Sequence, residues 1–67
     1  MEMVQDRIGY EMLRTGLYLV YIGTVPLGYA VYKHGRGWLA GTMTGEDRGE
    51  YRTRTDAAEA LRKGREG

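Results

Sequence analysis

Few residues of this chain are of types that do covalent or acid–base chemistry. Cysteine and serine are absent, and His34 is the single histidine. The common nucleophiles are therefore missing. The nearest carboxylate to His34 in sequence is Glu46, so no acid partner stands ready to make it a base. His34 reads as an exposed turn residue. With no cysteine and one histidine, a zinc site has no ligand set. Glu46, Asp47 and Glu50 fall in a polar stretch without the spacing of a calcium loop. Gly35-x-Gly37 joins two extended runs, not a strand and a helix, so it is not a phosphate loop. These residues imply no enzyme, no cofactor and no small-molecule substrate.

The cations are the more informative set. The formal net charge is +1, too small to imply nucleic acid by itself. Its distribution is uneven. No acid occurs from Thr15 to Gly45, while Lys33 and Arg36 lie in that stretch. From Arg48 to Arg65 there are six basic residues against three acids. Lys33, Arg36, Arg52 and Arg54 are the candidate phosphate contacts. The six tyrosines could stack on unpaired bases, although tyrosine is also common in small sheets.

Those residues must be held by a very small scaffold. Sixty-seven residues make one domain, 1–67, with a thin core expected over 17–63 and loose ends at 1–6 and 65–67. No disulfide can help, and the lack of cysteine fits a reducing, cytoplasmic setting. Thr15 to Tyr32 is uncharged over eighteen residues. Its three glycines, Pro26 and four tyrosines speak for buried strands rather than a membrane span.

The stretch from Gly28 to Met43 organises the rest. It reads as a hairpin in which Gly28–Lys33 and Trp38–Met43 flank a His34–Gly37 turn. Leu17–Ile22 is the clearest strand, apolar on both faces, which predicts cover on both sides. Arg7–Arg14 has strand alternation at Ile8, Tyr10 and Met12, and helical spacing at Val4, Ile8 and Met12. Gly9 favours the strand. Pro26 suits a strand edge. Thr44–Gly49 is a polar loop and Glu50–Arg52 a short strand. Thr53 and Asp56 have the spacing of a capping box, and Ala57, Ala58 and Leu61 form an apolar stripe. A helix is expected over Arg54–Lys63, stopped by Gly64. The sum is an α+β fold, an antiparallel meander of three to five strands with one C-terminal helix packed on one face.

The run from Gly28 to Leu61, about half of the chain, resembles a three-stranded sheet-plus-helix domain. The matching residues are Gly28-x-x-Val31, Trp38-x-Ala40, Tyr51-x-Thr53 and Asp56-Ala57-Ala58-x-Ala60-Leu61. That architecture occurs in the Apetala-type DNA-binding domain of plant ethylene-response factors and in the arm-binding domain of tyrosine integrases. Small actinobacterial and phage proteins look similar. The resemblance implies DNA binding by the sheet face away from the helix, with arginines on the first two strands reading bases. This chain departs there. Trp38, Ala40 and Thr42 are expected on the helix side, leaving Leu39, Gly41 and Met43 outside, joined across the turn by Tyr32 and His34. No arginine stands on that face to read a base. Tyr32, His34, Leu39 and Met43 are thus candidate partner contacts. Two readings follow: a nucleic-acid-binding module, or a protein-interaction module such as a phage- or mobile-element-type modulator of a host protein, or a homodimer.

Overall fold

A computed structural model describes residues 7–66, so the expected loose end at 1–6, and Gly67, lie outside the described residues. Five strands form one antiparallel sheet in chain order: β1 (Ile8–Arg14), β2 (Leu17–Ile22), β3 (Val25–Lys33), β4 (Gly37–Thr42) and β5 (Asp47–Tyr51). One helix, α1 (Arg54–Glu66), follows. Each connection is short enough that neighbours in sequence are neighbours in the sheet, the simplest antiparallel arrangement. The chain is the expected α+β meander with a C-terminal helix.

Three irregularities bend the sheet. Val20 pairs with Gly28 but Tyr21 pairs with Pro26, so Leu27 is an extra residue in β3. The bulge turns Leu27 into the core beside Pro26, which has no N–H to give. Leu13 is likewise extra in β1. In β5 the extra residue falls between Glu50 and Asp47, where Gly49 takes a φ of 100°.

The helix begins where the capping pattern placed it. The Thr53 hydroxyl accepts from the Asp56 amide at 3.0 Å, and the Thr53 carbonyl accepts from Ala57 N–H at 3.1 Å. The expected stop at Gly64 is overturned. The glycine is not among the positive-φ residues and the helix runs on to Glu66. Gly64 instead gives room to the Arg48 side chain, which lies 3.7 Å from where a Cβ would stand.

The helix packs across β3, β4 and β5. The core between them is thin. Val20, Leu27, Ala30, Ala40, Ala57, Ala58 and Leu61 are buried, and Val20 is the largest side chain fully so. Ala30 and Ala40 are cross-strand partners, and they meet an alanine pair on the helix, so sheet and helix approach closely. Ile8, Tyr10, Tyr18, Ile22, Trp38 and Tyr51 pack around this centre.

Candidate binding surfaces

The sheet has two unlike faces, fixed by register. On the helix side an aromatic row crosses the sheet. Tyr10 meets Tyr18 edge-on with ring centres 6.3 Å apart, Tyr18 meets Trp38 at 5.8 Å, and Trp38 meets Tyr32 at 5.4 Å. Tyr32 is therefore not on the outer face. Lys33 pairs with Gly37, which puts Tyr32 opposite Trp38 and on the same side. His34 sits exposed in the β3–β4 turn, closed by Arg36 N–H donating to the Lys33 carbonyl at 2.9 Å.

The outer face carries Leu17, Val31 and Leu39 in one cross-strand row, and Leu19, Tyr29 and Gly41 in the next. Leu13 and Met43 flank them, 47% and 45% exposed. Leu39 and Met43 were expected here. Leu17, Leu19, Tyr29 and Val31 were not, although alternation counted outward from Leu39 would have found them. The cover expected over β2 is absent among the described residues. Leu17, Leu19 and Tyr21 stay half-buried because β1 pairs as an edge strand and does not fold across. A shallow trough of about 650 Å³ runs between Leu13, Tyr29, Leu39 and Met43, with Gly41 in its lining.

The end of the sheet that bears the β1–β2 and β3–β4 turns and the start of α1 is basic. Tyr32 N–H donates to the Gly16 carbonyl at 2.7 Å and ties the two turns together. Gly37 lies against the Tyr51 carbonyl and Arg52, which brings in the strand–helix junction. Arg14, Lys33, Arg36, Arg52 and Arg54 therefore share one end. Sequence reasoning missed Arg14, whose place beside the Gly16 turn was the available signal.

Two of the five are engaged. Arg36 hydrogen-bonds and pairs with Glu50 across to β5. Arg54 stacks its guanidinium over Tyr10 and Tyr18, 4.1 and 4.6 Å from their ring centres, and is half-buried. It braces the helix against the sheet. Arg14, Lys33 and Arg52 are exposed, and none of them is paired with an acid among the described residues. Among the described residues no cluster of three His, Asp or Glu could hold a metal ion, and no helix is long and apolar enough to cross a membrane.

No protein-family model, curated protein or solved structure matches the chain.

Proposed function

We propose that this chain is a non-enzymatic protein-interaction module of the cytoplasm, working through the outer face of its sheet. The observation that carries this is the uncharged double row Leu17–Val31–Leu39 and Leu19–Tyr29–Gly41, over which no described residue lies. The row is half-buried and Leu13 and Met43 beside it are exposed, and contiguous apolar surface left open to solvent in this way marks an interaction site. The resemblance to sheet-and-helix DNA-binding domains would send this face into the major groove. The centre of that face, Leu, Val and Tyr, carries no arginine to read a base edge and no cation for a phosphate.

A capture experiment tests the reading. Tagged wild-type chain, a Val31→Lys/Leu39→Lys variant and a Lys33→Ala/Arg52→Ala variant are each used to retain partners, including a differently tagged copy of the chain. Loss confined to the first variant is expected. Equal retention by all three would remove the outer face from the function.

A second reading rests on the basic end. Arg14, Lys33 and Arg52 are spaced across one end of the sheet and have no ion-pair partner among the described residues, and Glu50 is already held by Arg36. Cations so spaced along one end support contact with a nucleic-acid backbone, without sequence preference.

A further inference from the structure

We infer that the occupant of the outer face is a second copy of this chain, seated sheet on sheet about a two-fold axis. The inference rests on the reading of that face as the contact surface and names its partner.

The first ground is the poverty of the core. Four of the seven buried side chains are alanine, and the largest fully buried one is Val20. Five more apolar side chains, Leu17, Leu19, Tyr29, Val31 and Leu39, lie on the other side of the sheet, each only half-buried. A chain of 67 residues without cysteine has no disulfide to supplement so small a core. Oligomerisation is a common remedy in domains of this size, and it ties stability to chain concentration.

Charge is the second ground. The charges nearest the face, Glu11, Arg14 beside Leu17, Lys33, Asp47 and Glu50, stand on its rim, and both signs are present. Two copies meeting face to face would bury no unpaired charge at the centre. A formal net charge of +1 leaves little long-range repulsion between copies.

Size and shape are the third. Five strands at about 4.8 Å spacing, each with about six residues at about 3.3 Å, give a face of roughly 24 by 20 Å. That footprint, about 480 Å² per copy, falls below the range of stable specific interfaces and among weak, transient ones, which suits a reversible dimer. Tyr29, Leu39 and Gly41 together line the shallow trough on this patch. In an isologous pair this same patch on each copy meets the other. Two sheets so packed sit about 10 Å apart with strands inclined by about 30°.

Sedimentation or light scattering of the full chain over a dilution series tests this. The expected mass is twice that of one chain at about 100 µM, falling toward one chain below about 1 µM, as a small interface implies. The thermal midpoint should rise with protein concentration. Val31→Lys and Leu39→Lys should each weaken the dimer roughly thirtyfold or more, and Arg52→Ala should leave it unchanged. Added salt should not weaken it, because the contact is apolar. If the lysine variants fail to fold, the concentration dependence of the wild-type midpoint still decides. A wild type that is monomeric throughout overturns the inference. So does a dimer that survives both lysine substitutions, which would point to pairing of strand edges. If the monomer still binds an apolar dye, and loses that binding on Leu39→Lys, the outer-face reading stands without self-association. If it binds none, both fall.

Discussion

The guanidinium of Arg54 lies 4.1 Å above the ring centre of Tyr10, joining the first turn of the helix to the edge strand β1. The helix body packs on β3, β4 and β5, so this contact reaches the far side of the sheet. Tyr18, 4.6 Å away, shares the cation. Replacing Arg54 with Ala should cost about 1 kcal/mol, with Lys recovering only part, because a compact ammonium stacks less well than a planar guanidinium. Urea unfolding of the three proteins measures it. A neutral Arg54→Ala change would mean that the stack contributes nothing.

Two glycines should respond very differently to alanine. A Cβ on Gly28 would sit 2.1 Å from the carbonyl oxygen of Gly41, so the β3–β4 ladder would have to part. Gly28→Ala should cost about 3 kcal/mol or more. Gly35 has a φ of 80° but nothing within 4 Å of its would-be Cβ. Gly35→Ala should cost only about 1 kcal/mol, the backbone strain alone. Equal midpoint shifts for the two would contradict this close approach.

The order of elements was legible because local signals agreed. Glycines at the turns, alternation in the strands and the Thr53–Asp56 cap each pointed to the same meander. Faces were harder. Tyr32 was expected beside Leu39, but the Lys33–Gly37 pairing sets it opposite Trp38, and one residue of register moves a side chain through the sheet. The bulge at Leu27 follows from tertiary demand, since only the packed helix gives that side chain a core to enter. Arg36 and Arg54 are cations in any sequence count. Their partners, Glu50 and the Tyr10–Tyr18 pair, come from strands distant in sequence, so their engagement emerges only with the fold.

The basic end makes a quantitative prediction for the second reading. Lys33→Ala and Arg52→Ala should each reduce the salt dependence of binding to a single-stranded oligonucleotide by about 0.7 in slope, one phosphate contact apiece. Arg54→Ala should leave the slope unchanged, because its guanidinium is stacked on tyrosines. Fluorescence anisotropy at several salt concentrations reads this. If wild type binds no oligonucleotide at low salt, the second reading is lost.

Thr53 supplies a separable contribution to the helix start. Its hydroxyl satisfies the Asp56 amide at 3.0 Å, a donor with no partner inside the helix. Thr53→Ala should lower stability by about 1 kcal/mol and Thr53→Ser by little. Thermal unfolding compares them, and equal losses for Ala and Ser would show that the hydroxyl is not the cause.

The spacing between helix and sheet is set by alanine on both sides. Ala30 and Ala40 pair across the strands, and Ala57 and Ala58 face the same core with no exposed surface. Such a layer cannot accept a larger side chain without pushing the helix away, because protein interiors are packed with few voids. Ala58→Leu should therefore destabilise by about 1–3 kcal/mol, even though leucine is apolar and a good helix former. Ala60 is only half-buried, so Ala60→Leu should be far milder. Displacing the helix should also disturb the Arg54 stack, so Ala58→Leu and Arg54→Ala together should cost less than the sum of the two alone. A double-mutant cycle by urea unfolding measures that coupling. Strict additivity would mean that the helix start holds its place on Tyr10 independently of the alanine layer.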